Sequence, residues 1–371
     1  MPKPIIPRKL PEIVIDWETL VPAIGQASRA IALYEGILSH LPNPYLLISP
    51  IITQEAVLSS RIEGTRVTFT EVLQFEAGEA FEQESQQQDA IEVINYRKAI
   101  WQGVNELQRR PFNLNLLKDM HKTLLDSARG YNKLPGSFRR EQNFIGPPGS
   151  TLETADFVPP DWMLLSEYLD DWEKFYHTDI KDPLVQLALI HAQFKFLHPF
   201  LDGNGRLGRI LVPFFLYEKK LLTVPGFYLS EYFEKDRNGY YGHLRALGND
   251  DHSWNQWCAY FLNAVTKQAE QNTHKVRSML VLYDRLKIQV IKITHSQFAL
   301  PMLDLMFSTP IFQSNMFEGK EGMPGRAMTL RILAKLKDEG VLATLREGRG
   351  RRTYIYALTD LISLTEGSEP N

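Results

Sequence analysis

Apolar residues recur at helical spacing through most of the chain, and clusters of Gly, Pro and polar residues divide the runs from one another. The first run spans Val21 to His40 and is broken by Leu41-Pro42-Asn43-Pro44. Ser49 followed by Pro50 supplies an N-cap and a first helical position, and Gly64 suits the place just past a C-terminus. A helix is therefore predicted over Pro50 to Glu63. Two more fall between about Ala90 and Ser127, with Leu116, Leu117, Met120 and Leu124 as a core-facing stripe. Further helices are predicted from Trp162 to Tyr176 and from Pro183 to Leu197. The second of these is apolar around most of its circumference, the mark of a central buried element. Arg206 to Lys219 also reads as central, with Pro213 expected to free the Arg209 carbonyl and kink the helix. Trp254 and Trp257 open another helix, running to about Gln271. Ahead of all these, Pro2, Pro4, Pro7 and Pro11 make residues 1 to about 20 an extended arm, and Gln83 to Gln88 reads as a short solvated segment.

Strand-like stretches are few. Gly136 to Gly149 holds a short extended run among turn residues, and Phe157-Val158-Pro159-Pro160 follows. Together they read as a β-hairpin with a free edge, with a plain surface loop as the even alternative. Near the end, Gln297 to Phe307 and Met323 to Glu339 pattern as helices. Val341 to Leu345 and Thr353 to Leu358 pattern as strands around Gly348-Arg349-Gly350-Arg351-Arg352. That arrangement resembles a winged helix, with the second helix for recognition and the Gly/Arg turn as wing.

Composition narrows the class. At 371 residues with 44% hydrophobic side chains the chain can bury a sizeable core in two or three domains. A net charge of −3 and a pI near 6.3 give no global case for nucleic acid or membrane binding. Gly319 to Arg352 nevertheless carries nine Lys/Arg against four Asp/Glu, a local +5 that leaves −8 elsewhere. Such a wing can touch a DNA phosphate backbone or serve dimerisation or regulation. The single Cys258 excludes an intramolecular disulfide framework, and the opening Met-Pro-Lys-Pro lacks a signal peptide's apolar region. No apolar run reaches membrane-spanning length, and a cytoplasmic location is expected.

The chemistry concentrates between two apolar runs, in His198-Pro199-Phe200-Leu201-Asp202-Gly203-Asn204-Gly205-Arg206 with Arg209 beyond. Gly203 and Gly205 let backbone approach a ligand, and the helix that follows presents unpaired N–H groups and a positive dipole end, an anion site. Arg206 and Arg209, at i and i+3, share a helix face and can hold phosphate oxygens. Asp202 is a lone carboxylate beside them, the usual way Mg²⁺ is held by one protein ligand plus phosphate and water. His198 is the only side chain in the loop able to accept a proton near neutral pH. A lone histidine or an Asp-Gly-Asn-Gly turn is ordinarily structural, but these groups within twelve residues are not a coincidence of turns. A P-loop is excluded for want of Gly-Lys-Ser/Thr, and zinc by the spacing of His191 and His198 and the lack of a cysteine cluster.

The stretch resembles the signature of the Fic family, His-Pro-Phe-x-Asp/Glu-Gly-Asn-Gly-Arg-x-x-Arg, at every fixed position. The resemblance, over roughly residues 20 to 270, implies a mostly α-helical enzyme that transfers AMP from ATP, with Mg²⁺, to a hydroxyl of a protein, this chain itself included. By the same resemblance His198 is the general base, Phe200 a buried anchor, and Asp202 the Mg²⁺ ligand between the α- and β-phosphates. Asn204 and the backbone of Gly203 and Gly205 form the anion hole, and Arg206 and Arg209 hold the β- and γ-phosphates. Tyr228, Tyr240 and Asn263 fall in the region that closes over adenine in related proteins.

Upstream, Ser59-Ser60-Arg61-Ile62-Glu63-Gly64 puts Ser59 and Glu63 on one helix face, and a carboxylate at a C-terminus calls for a cation to hold it. A solvated glutamate is the plain reading. The stretch also resembles the inhibitory motif Ser/Thr-x-x-x-Glu-Gly/Asn of Fic proteins, which implies that Glu63 pairs with Arg209 and misplaces the γ-phosphate. The segment Asn143-Phe144-Ile145-Gly146 corresponds to the flap that docks an extended target by strand addition.

The expected architecture is mainly α: a Fic-type helical bundle with a small β-hairpin flap, plus a C-terminal winged helix-turn-helix domain. The divisions are 1–105 for the arm and inhibitory region, 106–270 for the catalytic domain, and 271–371 for connector and winged helix. Removal of AMP with Glu63 positioning water, transfer of another phosphate-containing group, and a DNA-binding regulator with a sensory Fic domain stay open, as does a homodimer.

Overall fold

The computed structural model describes residues 4–41, 43–129, 132–147, 149–247, 252–349 and 352–367. Gly350 and Arg351 of the Gly/Arg turn, with Pro2, Pro42 and Pro148, lie outside the described residues. In chain order the helices are α1 (Trp17–Leu38), α2 (Tyr45–Ile62), α3 (Phe69–Glu76), α4 (Glu84–Leu107), α5 (Leu114–Leu124), α6 (Leu165–His177), α7 (Pro183–Leu197), α8 (Asn204–Glu218), α9 (Ser230–Lys235), α10 (Arg237–Ala246), α11 (His252–Thr294), α12 (Ala299–Ser308), α13 (Arg326–Asp338) and α14 (Thr359–Glu366). The strands are β1 (Ile311–Gln313), β2 (Ala343–Arg346) and β3 (Ile355–Ala357). No helix among the described residues is long and apolar enough to cross a membrane.

The chain divides into two compact units, and the division runs through α1, α2, α4 and α11. One unit holds residues 1–36, 58–65 and 95–270; the other holds 37–57, 66–94 and 271–371. In the first, α7 is the axis: every residue from Leu184 to Phe194 is buried. α6 and α8 pack on it, and the indoles of Trp172 and Trp257 donate to the Ile190 and Ala188 carbonyls at 3.0 and 2.8 Å. Asp182 starts the helix by accepting from the N–H groups of Leu184 and Val185 with Pro183 at the first position. The arm is held to this unit, since Ile5 donates its N–H to the Val158 carbonyl and the Gln193 amide donates to that of Arg8.

In the second unit Thr68 and Glu71 form a capping box that starts α3, which packs on β1. The sheet order is β1-β3-β2, antiparallel throughout, with Ile311 and Ala343 both opposite Ala357. A 3₁₀ turn over Ser314–Phe317 and α13 separate β1 from the β2–β3 hairpin.

Several expectations needed correction. α2 begins at Tyr45 and keeps Pro50 inside it. The Ser49 hydroxyl donates to the Ser308 carbonyl instead of capping. Burying Leu47 and Ile48 contributes about 1.5–3 kcal/mol each, enough to offset the ~3 kcal/mol of an interior proline. From Glu84 on, the polar segment is the first turn of α4. Among the described residues the flap is one bridge, Ile145 with Phe157, closed by hydrogen bonds of 2.8 and 3.1 Å, and not a hairpin of longer strands. Pro-rich flanks explain this, because Pro147, Pro159 and Pro160 have no N–H to extend the ladder.

Candidate active site

The turn between α7 and α8 is braced from within. α7 ends at His198, which takes a left-handed conformation at φ 45° although it is not glycine. Phe200 is fully buried, its ring stacked on His121 with centroids 3.8 Å apart. The Asn204 side chain accepts the Phe200 N–H at 2.9 Å and donates to the Phe200 carbonyl at 2.8 Å. Its amide is thus spent on the loop, and what Asn204 offers an anion is its main chain. Gly203 needs its φ of 75°, and a Cβ there would lie 3.1 Å from Leu124 Cδ2. The first N–H groups of α8, at Asn204 and Gly205, have no intrahelical carbonyl to bond. Asp202 Oδ1 accepts from the Gly203 N–H at 2.6 Å and lies 3.8 Å from Arg206 Nη2.

Two buried histidines support this loop as neutral rings. The Gly136 N–H donates to His121 Nδ1 at 2.9 Å, so Nε2 carries the proton and donates to the Asp202 carbonyl at 3.1 Å. His191 sits between the Gly208 carbonyl and the Tyr240 hydroxyl at 3.0 and 2.9 Å. Burial pushes His121 down to about 4 and His191 to about 3 from the ordinary 6.5. Below pH 6.5 the unfolded chain then binds protons that the folded chain refuses. Stability therefore rises with pH through this window and falls as acid is added, by up to about 1.4 kcal/mol per pH unit for each ring. His198 is depressed in the same way, to about 3, so melting temperature measured from pH 7.5 to 5 should fall by several degrees, and His191→Gln should remove about a third of that slope.

On the other side of the loop stands the end of α2. Gly64, at φ 108°, turns the chain after Glu63, and the Thr65 N–H reaches back to the Ser60 carbonyl at 3.2 Å. Glu63 Oε1 lies 2.7 Å from Arg209 Nη2. Ser59 completes the grip, its hydroxyl accepting from Arg209 Nε at 2.7 Å and its carbonyl from Nη2 at 2.9 Å. Arg209 Nη1 is buried with no hydrogen-bond partner among the described residues. A Cβ on Gly205 would overlap the Glu63 carboxylate, which therefore rests against the start of α8 where an anion belongs. Burial opposes its ionisation, but Arg209, Lys195 and Arg206 hold Glu63 down at about 2. His198 is pushed to about 3, by burial first and then by Lys195, with Glu63 opposing; its Nδ1 has no partner among the described residues.

In the flap, Phe144, Ile145 and Gly146 are exposed. Asn143 instead turns inward and donates to the His198 and Phe200 carbonyls at 3.4 and 3.1 Å.

A profile described as Fic/DOC family N-terminal matches residues 21–105, and one described as Fic/DOC family matches residues 111–216, together just over half of the chain. The chain belongs to the Fic/DOC family. A Drosophila yakuba protein adenylyltransferase Fic is 32% identical over 151 residues, which is 39% of this chain and 26% of the relative. The match thus spans about a quarter of that relative's length. The fold is shared with a Fic family protein from Desulfovibrio desulfuricans, at TM-score 0.55 and 18% identity, over 91% of this chain and 96% of that one. Fic-1 of C. elegans (residues 134–508) gives 0.52 and 18%, over 71% and 75%.

Not every expected Fic residue lies open to a ligand. Tyr228 is buried with its hydroxyl donating to the Pro225 carbonyl, and Tyr240 is buried, stacked on Phe233 and bonded to His191. Asn263 donates to the Tyr232 hydroxyl at 2.9 Å. Of the basic residues counted near the wing, Arg326, Lys337 and Arg346 have Glu318, Glu347 and Glu79 as partners. Arg349 and Arg352 flank the turn as an exposed bridge.

Two residues near Glu63 and His198 gave no signal in the sequence. Lys195 lies three positions before His198 in the last turn of α7 and is pushed by burial to about 8. Arg237, on α10, donates from Nη2 to the Ile62 carbonyl at 2.6 Å and so caps the end of α2. Arg237→Ala should loosen the Glu63 turn and, if that carboxylate keeps a nucleotide from Arg209, raise any nucleotide-transfer rate of the otherwise unaltered chain about fivefold to tenfold, the worth of 1–1.5 kcal/mol. The same change should add nothing once Glu63 is removed, which a double-mutant cycle would read.

Proposed function

We propose that this chain is a protein adenylyltransferase held inactive by Glu63. The observation that carries the reading is the Glu63 carboxylate, seated on Arg209 and against Gly205, where the loop offers its place to a phosphate. The Drosophila relatives bear the name protein adenylyltransferase, and the likeness to them covers 39% of this chain. A carboxylate and a γ-phosphate competing for one guanidinium leave the nucleotide misplaced, so that the α-phosphorus is not in line with the incoming oxygen.

With Glu63 withdrawn, Arg206 and Arg209 would hold the terminal phosphates, the spare Nη1 of Arg209 included, and the first-turn N–H groups of α8 would receive phosphate oxygens. Asp202 fits a Mg²⁺ ion bound mainly through nucleotide oxygens, because it presents a single part-exposed carboxylate. Among the described residues no cluster of three metal-ligating side chains exists. Such an ion would supply charge neutralisation to the phosphates. His198 then takes the proton from a Ser, Thr or Tyr hydroxyl of the target. The freed oxygen bonds to the α-phosphorus, the bond from that phosphorus to the oxygen bridging to the β-phosphate breaks, and pyrophosphate leaves with the electron pair. The target lies along the exposed edge at Phe144 to Gly146, by backbone pairing.

The test incubates the Glu63→Gly chain with Mg²⁺ and ATP labelled at either the α- or the γ-phosphate. Stable label on protein from the α position alone supports AMP transfer. Label from the γ position would mean phosphoryl transfer and would overturn it.

A further inference from the structure

We propose that Arg139 is a positioning residue that joins the docking flap and the catalytic loop into one body and so sets His198 against the target hydroxyl. The role in transfer rests on the adenylyltransferase reading; the joining itself rests on the hydrogen bonds.

Arg139 is 2% exposed. Its Nε donates to the His198 carbonyl at 3.1 Å, and Nη2 donates to the carbonyls of Leu197 at 3.4 Å and Pro160 at 2.6 Å. Nη1 donates to the Glu141 carbonyl at 3.3 Å, and the main-chain N–H of Arg139 donates to the Pro199 carbonyl at 2.8 Å. Among the described residues no carboxylate lies within ion-pair distance of it. Burial accordingly pushes this guanidinium down to about 10, with Asp161 opposing.

These acceptors fall into two sets. Leu197 and His198 end α7, and the last carbonyls of a helix have no intrahelical donor and carry the negative end of its dipole. Glu141 and Pro160 lie in the two arms of the flap, one on each side of the Ile145–Phe157 bridge. A planar fork with five N–H donors can serve both sets at once, and the single ammonium of a lysine cannot. A buried cation satisfied only by carbonyls is a costly way to gain stability, but it fixes geometry in several directions.

That geometry needs fixing. His198 holds an unfavourable φ of 45°, and the flap has one bridge and no sheet behind it. Asn143, two residues before the bridge, adds its own donors to the His198 and Phe200 carbonyls. A target laid on the flap is thus registered to the histidine through the backbone, without reference to the target's side chains. The phosphate-binding residues from Gly203 to Arg209 take no part in this contact, so nucleotide binding and hydroxyl placement are separable.

The experiment uses the full chain carrying Glu63→Gly, with Arg139→Lys and Arg139→Ala added singly. It reads the rate of AMP labelling at saturating ATP, calorimetric affinity for a non-hydrolysable ATP analogue, and the ¹³Cε1 resonance of His198. The expected result is an about hundredfold slower transfer in both variants, as for a reacting group displaced by about 1 Å, with analogue affinity within about threefold and a shifted His198 resonance. Guanidinium ion added to the Arg139→Ala chain should restore at least about tenfold of the rate, and urea, the same shape without charge, should not. Transfer and analogue affinity falling together with the melting temperature would make Arg139 a merely structural residue. An unchanged rate and resonance in the lysine variant would overturn the proposal outright. If the Glu63→Gly parent itself transfers nothing, the adenylyltransferase reading fails, and the His198 resonance still decides whether Arg139 positions that ring.

Discussion

Glu63→Gly is expected to raise the rate of AMP transfer about 10- to 100-fold, which corresponds to the 1.5–3 kcal/mol of a charge-assisted hydrogen bond. The carboxylate engages Arg209 at 2.7 Å and lies against Gly205, so removing it frees both the guanidinium and the start of α8. Glycine is the instructive replacement, since it leaves no side chain to reach back into the site. The change also leaves Arg209 buried without its counter-charge, and the unliganded variant should melt below the wild type. ATP, which supplies the missing anion, should recover that loss and stabilise the variant more than it stabilises the wild type. Initial rates with α-labelled ATP and melting curves with and without nucleotide check both effects. Equal rates in the two chains would remove Glu63 from any inhibitory role.

His198→Ala in the Glu63→Gly chain should slow transfer by about 10² to 10⁴, the usual contribution of a positioned general base. In the structure its imidazole is pushed to about 3, chiefly by burial and by the Lys195 charge. At neutral pH the ring is therefore unprotonated and able to accept, but weakly basic. A triphosphate beside Arg206 and Arg209 brings negative charge next to it and should move its pKa upward, toward the range where a base is effective. The loss should appear in kcat, while affinity for ATP stays unchanged, because no phosphate partner is altered. A variant that retains the parental rate would mean that another group takes the proton.

The parts of this site that lie close together in sequence were legible in it. His198 to Arg209 announces an anion site by residue type and spacing, and Pro183 to Leu197 stands out by its almost unbroken apolar surface. Glu63 and Arg209 are 146 residues apart, and their pairing was foreseen only through resemblance; a helix-terminal carboxylate alone asks for some cation without naming one. Arg139 gave no signal, because its partners are backbone carbonyls, which every residue possesses. The same holds for Arg237 and the Ile62 carbonyl. Pro50 misled for an opposite reason: a local start signal was overridden by the burial of Leu47 and Ile48, an effect of tertiary packing. The Thr68/Glu71 capping box carries a local Thr-x-x-Glu signal in the sequence, whereas β1 is three residues long and too short for any alternation to show.

Glu63 and Arg209 are carried by the same chain, and that sets the arithmetic of the proposed inhibition. A tethered carboxylate acts at an effective concentration fixed by the geometry of the turn after Ser60, and it does not dilute when the protein does. ATP therefore competes against a constant opponent. If Glu63 inhibits as proposed, the active fraction should follow the nucleotide level and whatever loosens that turn, and activity per chain should not change when the protein is diluted.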